Sequence, residues 1–389
     1  MQHPRHRWFP YKEGFSPSFV RQFLKEFGKA SNGLVVDPFS GSGTTAIVAG
    51  ELGFPGIGFD VSPLTSFVAT TKATTMDSVE QSEFRAQIDD FSGCPLLGVC
   101  DAPDNETVRR YFSPEFLNVL LRVKKYYSQL SNEKHHDLFK LAYLAAIEPF
   151  STHRKAGNGV KRKTKPNYPF KHLSPLEAVR MFILERLNEY ADDIALSEGF
   201  VPPAFRLKSS LDRDELESLG KISAVLTSPP YANCFDESCI CMSELWLFDR
   251  QALQEDQVSF RQNSVRSHVH ASWNERHTDL GSSLVDGTIR PHIEEQDLWS
   301  SRIGSMLSGY FQDLGKLLVE IKPFLEKGAP LGFVVGNSFY GGVAVATDLL
   351  LAQLAREHGY EVESVRVYRG VIPSSQQYKL LGENRKYMR

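Results

Sequence analysis

The sequence predicts an α/β protein: an open sheet of strands and helices, interrupted by an inserted, mainly helical lobe. Four stretches carry that prediction. Residues 34–60, LVVDPFSGSGTTAIVAGELGFPGIGFD, run strand, glycine turn, helix, strand, acid, half of a ligand-binding α/β unit. Residues 225–231, VLTSPPY, are a short strand stopped by a rigid turn, at the carboxyl end where open α/β sheets bind ligands. Between them, 113–148 and 174–198 place apolar residues at helical spacing.

The chain starts with an aromatic, basic, turn-rich arm over 5–20, and Ser16-Pro17 signals a helix running to about Phe27. Leu34–Val36 is an apolar strand, and Asp37–Gly43 a tight turn. Gly41 and Gly43 let the backbone bend sharply and let a ligand approach. Thr44–Leu52 reads as a helix whose N-terminal amides face that ligand. Gly56–Phe59 is the second strand and ends at Asp60, where a carboxylate can accept two ribose hydroxyls. A purely structural glycine loop is the alternative. A phosphate loop is excluded because no Lys follows Gly43, and the dinucleotide fingerprint because Ala46 stands at its third glycine.

Ser62-Pro63 begins a helix to about Lys72, with Val61–Pro63 placed to flank a planar base. The stretch 74–108 reads as mixed and polar, with CPLLGVCDAPDNE as loop. Helices are expected from Ser113-Pro114-Glu115 to Leu130 and from about His136 to Ile147, with His135 and His136 on the surface. Residues 151–172 then carry seven Lys or Arg (154, 155, 161, 162, 163, 165, 171) and no acid. Gly157 and Gly159 predict a flexible loop, and Tyr168 and Phe170 add stacking surface. Lys and Arg on such a loop suit phosphate contact; a solvated loop that aids solubility is the alternative. Ser174-Pro175-Leu176-Glu177 is a capped helix start.

Strands resume with AFRLKSS at 204 and with Ala224–Thr227. In Ser228-Pro229-Pro230-Tyr231 the prolines stiffen the turn and remove two backbone donors. The Ser228 side chain and nearby carbonyls remain as polar groups, and Tyr231 offers a flat ring. A planar ligand carrying an NH2 suits that set; a proline-stiffened turn with a packed Tyr is the alternative. Cys239–Phe248 reads as helix. Asp236 and Glu237 are candidates for polar positioning, and Cys234 is rejected as a nucleophile because no Pro-Cys pair occurs. Residues 255–300 are polar; Arg261, Asn263, Arg266, Trp273, Asn274 and Arg276 suit base edges or the gap left by a flipped base, with a disordered or merely surface segment as the alternative. The remainder predicts a helix over 301–326, a central strand in GAPLGFVVGNS, a helix over 343–357, a strand over 361–368 and a basic tail.

Composition agrees. The chain has 389 residues, 41% of them hydrophobic, enough for a substantial core and two domains. No apolar run reaches membrane-spanning length and the first residues lack a signal region, so a cytoplasmic home and no membrane partner are expected. Five cysteines make neither a zinc pattern nor a disulfide framework, and the histidines form no HExxH, so no metal is expected. A net charge of −3 gives no global nucleic-acid signature, leaving DNA contact to local patches.

DPFSGSGTT together with TSPPY resembles the S-adenosylmethionine-dependent amino-methyltransferases of DNA, which methylate N4 of cytosine or N6 of adenine. The resemblance covers roughly 7–75 and 200–380. It implies a Rossmann-like class I methyltransferase sheet, with 1–75 as arm and cofactor half, 76–200 as inserted lobe and 201–389 as catalytic half. It implies that Phe39, Gly41 and Gly43 wrap the methionine part of S-adenosylmethionine, with Asp37 and Thr44 in the same element, and that Asp60 holds the ribose. Phe15, Ser16 and Pro17 resemble the segment that closes over the methionine end. Ser228, Pro229, Pro230 and Tyr231 match the catalytic tetrapeptide, and Arg154, Lys155, Lys161, Arg162, Lys163 and Lys165 become candidates for DNA contact. Ser first and Tyr fourth resemble the cytosine-N4 enzymes more than the adenine-N6 ones. Duplex DNA is the expected partner, with a restriction endonuclease of the same sequence specificity as a further one. RNA or protein methylation and a non-enzymatic DNA-binding module are the alternatives.

Overall fold

The computed structural model describes residues 3–11, 14–28, 33–100, 106–156, 159–165, 167–233, 241–248, 262–269 and 280–370. Five strands form a parallel sheet: β1 (Leu34–Asp37), β2 (Gly56–Asp60), β5 (Ala204–Leu207), β6 (Ile222–Thr227) and β7 (Leu331–Phe333), in the order β5-β2-β1-β6-β7. Val36 is in register with Ile57, Ile57 with Ala204, and Leu226 with Gly332. With helices flanking it, this is a Rossmann-like class I sheet. GAPLGFVVGNS therefore supplies an edge strand of the described sheet, where the sequence suggested a central one. The chain divides into two compact units. One comprises Met1–Leu207 with Glu237–Gln257, the other Lys208–Asp236 with Val258–Arg389.

In the first unit, β1 and β2 are buried almost end to end, as parallel strands covered on both faces must be. Helix α1 (Pro17–Phe27) begins where Ser16 accepts from the Phe19 amide. Helix α2 (Thr44–Glu51) is apolar all round and is buried from Thr44 to Gly50. Helix α3 (Pro63–Lys72) starts at a Ser62 cap. The stretch after it is not the mixed loop that its composition suggests. Asp77 and Glu80 form a reciprocal capping box that starts α4 (Ser78–Gly93). Its three buried residues, Phe84, Ile88 and Phe91, lie four and three apart, a stripe easily overlooked among polar neighbours.

A short helix α5 (Glu106–Arg109) precedes α6 (Pro114–Tyr127) and α7 (Glu133–Phe150), and α8 (Pro175–Ala195) follows from a Ser174–Glu177 capping box. Helices α4, α6, α7 and α8 make the lobe. Phe139 is fully buried at its centre, with ring centroids 5.4 Å from Phe91 and 6.3 Å from Phe84, both edge-on. Truncating such a ring to Ala costs about 3–5 kcal/mol. His135 is part of that core, 5.3 Å from the Phe84 ring, rather than on the surface. The arm is fastened to α8: Trp8 stacks on Tyr190 at 4.5 Å, and Asp193 accepts from Trp8 Nε1 and from the Arg5 amide. The expected flexible basic loop is an antiparallel hairpin, β3 (His153–Ala156) with β4 (Gly159–Arg162).

In the second unit, α9 (Arg213–Glu217) precedes β6. The long helix expected over 301–326 spans Ile303–Ile321 and tightens into one 3-10 turn. The helix expected over 343–357 starts late, at Thr347; its first residues are instead the β9 strand (Val343–Val345), paired with β8 (Ser338–Tyr340) across Gly341-Gly342, both at positive φ. Residues 361–368, read as a strand, are largely exposed and form none. No helix among the described residues is long and apolar enough to cross a membrane.

Candidate active site

The glycine turn sits in the first unit, immediately after β1. Gly41 has φ +48° and Gly43 +85°, a region that L side chains rarely adopt. Contact adds to that constraint. A Cβ on Gly43 would lie 2.7 Å from the Phe205 ring, and one on Gly41 would lie 2.9 Å from the ring of Tyr11. Tyr11 belongs to the arm and covers the turn, a role its aromatic context hinted at without singling it out. The turn is tied by Gly43 N–H to the Ser40 carbonyl, and Ser40 N–H to the Phe59 carbonyl, both 2.8 Å. Asp37 is buried and accepts from the Phe39 amide, while Thr44 opens α2. Phe15 packs edge-on against Phe19; Ser16 and Pro17 are the cap and first residue of α1.

Asp60 ends β2 and fastens the turn from the other side. Its carboxylate accepts from Gly41 N–H at 2.9 Å and Ser62 N–H at 2.8 Å. Burial pushes its pKa up to about 6, against hydrogen bonds from Ser62, Thr65, Gly41 and Val61 that favour the charged form. At neutral pH the group is therefore mostly a carboxylate. Two φ-positive glycines, a covering ring and a carboxylate at the adjacent strand end are compatible with a ligand that needs close backbone approach and carries hydroxyls.

The tetrapeptide sits in the second unit, after β6. Ser228 Oγ donates to the Val334 carbonyl at 3.1 Å, with the Tyr231 hydroxyl 3.5 Å away. Its hydrogen thus has a partner in the protein, and its lone pairs are left to accept. Gly336 lies against the Tyr231 ring; a Cβ there would be 3.2 Å from it. The buried Tyr340 hydroxyl donates to the Ala232 carbonyl at 2.8 Å, so the β8–β9 hairpin steadies the loop just past Tyr231. Neither Gly336 nor Tyr340 carries a sequence signal, because each acts through a contact about a hundred residues away.

The hairpin divides the basic candidates. Arg154, Lys161, Arg162 and Lys165 are exposed. Lys163 is not turned outward: its ammonium donates to the carbonyls of Glu148, Pro149 and Ser151. Lys155 faces inward to an ion pair of 2.6 Å with Glu244, whose side chain is 2% exposed. Glu244 lies on α10 (Met242–Phe248), the described part of the helix expected over Cys239–Phe248, which packs within the first unit. In the second unit Arg266 is a buried bidentate partner of Asp313, at 2.8 and 3.1 Å, and so does not serve as a base reader. Asn263 is exposed, and its backbone carbonyl accepts from Ser209. Cys234, Asp236, Glu237, Arg261, Trp273, Asn274 and Arg276 lie outside the described residues.

The chain is similar in sequence to DNA methyltransferases. A family model described as DNA methylase matches residues 6–65, from the arm to just past Asp60. The chain is similar over 409 aligned residues to the type II methyltransferase M.AvaI of Anabaena variabilis, at 26% identity, covering 94% of this chain and 80% of that one. It is similar at 25% identity to the type II methyltransferase M.BsoBI of Geobacillus stearothermophilus, covering 93% and 79%. A stretch of 72 residues is 39% identical to the type II methyltransferase M.MjaII of Methanocaldococcus jannaschii, covering 18% of this chain and 13% of that one.

Proposed function

We propose that this chain is a site-specific DNA methyltransferase that transfers a methyl group from S-adenosylmethionine to the exocyclic N4 of cytosine in duplex DNA. The observation that carries the reading is Ser228, whose hydroxyl already donates to Val334 and keeps its lone pairs for an incoming amine. The glycine turn follows β1 and the tetrapeptide follows β6, each at the carboxyl end of its strand, where strands of α/β sheets take ligands. When bound, S-adenosylmethionine supplies an electrophilic methyl on a sulfonium. Phe15–Pro17, Phe39, Gly41, Gly43 and Thr44 hold its methionine end, and Asp60 takes the ribose.

A base amine has its lone pair delocalised into the ring and is a weak nucleophile. Ser228 Oγ and the Pro229 carbonyl accept its hydrogens, favouring the pyramidal nitrogen needed as the C–N bond forms and the sulfonium–methyl bond breaks, with the surplus amine proton passing to water. Tyr231 stacks on the base after it leaves the duplex. Arg154, Lys161, Arg162 and Lys165 contact phosphate. A restriction endonuclease of the same sequence specificity is the further partner in this reading. Adenine N6 is the second reading, because a Ser hydroxyl accepts a hydrogen from either amine. Expression in a methylation-free bacterial host, followed by nucleoside mass measurement, separates the two: N4-methylcytosine is expected, N6-methyladenine alone would overturn the choice of base, and neither would overturn DNA as substrate.

A further inference from the structure

A buried ammonium stands behind the glycine turn, and the proposed chemistry does not use it. Lys72, the last residue of α3, is 1% exposed. Its Nζ donates to the Ser42 carbonyl, between the two turn glycines, at 3.4 Å. Among the described residues that is its one hydrogen bond, and no carboxylate pairs with it.

The charged groups on the surrounding elements are otherwise engaged. From the arm, Arg5 donates to the carbonyls of Lys72 and Thr74 and to Ser197, and His6 lies 3.5 Å from Glu51. On α2, Glu51 is also held by Arg21. On α8, Asp193 is held by Arg5, Arg7 and Trp8. At the head of α3, Asp60 is held by Gly41 and Ser62. On α7, Lys134 pairs with Glu80 and Lys140 lies over Phe67 and Phe248. Each of these acids thus has its own partner, and Asp37 at the head of the turn accepts from the Phe39 amide. Unpaired burial pushes the Lys72 pKa down to about 7. A buried positive charge without a counter-ion is costly, and the turn beside it is the proposed seat of a ligand that ends in a carboxylate.

Resting on that reading of the turn, we infer that Lys72 is the counter-charge for the donor's methionine carboxylate, a positioning residue anchored on the Ser42 carbonyl. Arrival of the carboxylate favours the ammonium, so binding above neutral pH draws in a proton.

The test is calorimetry of the full chain at pH 8 in buffers of different ionisation enthalpy. It compares S-adenosylhomocysteine with 5′-methylthioadenosine, which lacks the amino-acid end. Proton uptake is expected with the first and none with the second. Lys72→Met should abolish the uptake and cost the first ligand at least tenfold in affinity while sparing the second. Lys72→Arg, charged throughout, should keep affinity without uptake, and it decides the matter where the apolar variant fails to fold. The ligand's own amine titrates alike in every protein and cancels. Equal uptake in wild type and variants overturns the role of Lys72, whereas failure of both ligands to bind overturns the cofactor reading instead.

Discussion

Asp60 does two jobs with one carboxylate, and its pKa ties them together. The folded value, about 6, lies above that of an unfolded aspartate. Ionisation therefore opposes folding: stability falls as pH rises from about 4 to about 6, by at most about 3 kcal/mol. In the proposed role the ionised form is the stronger acceptor for ribose hydroxyls. Affinity for S-adenosylhomocysteine should thus decline as pH drops below about 6, and Asp60→Asn should flatten that decline at a lower plateau. Calorimetry between pH 5 and 8 reads it, and a flat wild-type profile would remove Asp60 from the ribose role. Gly41, Gly43 and the strand-ending Asp60 were legible in the sequence because the turn's backbone demands those residue types at that spacing. Lys72 was not. A lysine closing a helix ordinarily reaches solvent, and it is the arm, folded back through Arg5 onto the Lys72 and Thr74 carbonyls, that helps enclose it.

The basic hairpin shows what local composition leaves out. Two glycines among seven cations read as a flexible loop, yet the register sets Arg154 directly opposite Lys161. Like charges facing each other across a ladder are destabilising, and an anion such as phosphate relieves that repulsion. Replacing Arg154, Lys161 and Arg162 with Gln should weaken DNA binding and lower the salt slope by about 0.9 per lost phosphate contact, with little change in melting temperature. Lys163→Gln should do the reverse, destabilising the hairpin base, where three carbonyls share its ammonium. Equal salt slopes for the triple variant and wild type would make the hairpin a solvated surface. Elsewhere the caps at Ser16, Ser62, Ser113 and Ser174 marked helix starts correctly, each a Ser followed by Pro. The α4 start, capped by Asp without Pro, and the β8–β9 hairpin, whose second strand blends into the apolar pattern of the next helix, went unread.

Across the whole molecule, the strand–turn–helix–strand core follows the sequence closely, because parallel buried strands need near-continuous apolar runs. The division of the chain does not. Helix α10 belongs with the first unit although it follows the tetrapeptide. Three contacts place α10 there: Lys155 with Glu244, Lys124 with the Leu247 carbonyl, and Lys140 over Phe248. Burial works against the Lys155 charge, and Glu244 overcomes it, holding the ammonium well above its ordinary range. Lys155→Met leaves that carboxylate buried alone and should cost about 3–5 kcal/mol, with most of the loss recovered by adding Glu244→Leu. Denaturant melts of the single and double variants measure this; an unperturbed single variant would mean the pair does not hold α10.

The interleaving of Lys155 and Glu244 also sets a clock on the ribosome. At about 5–20 residues per second, Glu244 emerges roughly 5–20 s after Lys155. For that interval the nascent lobe holds a cation facing a half-built interior, and the first unit stays incomplete until the tetrapeptide has been translated.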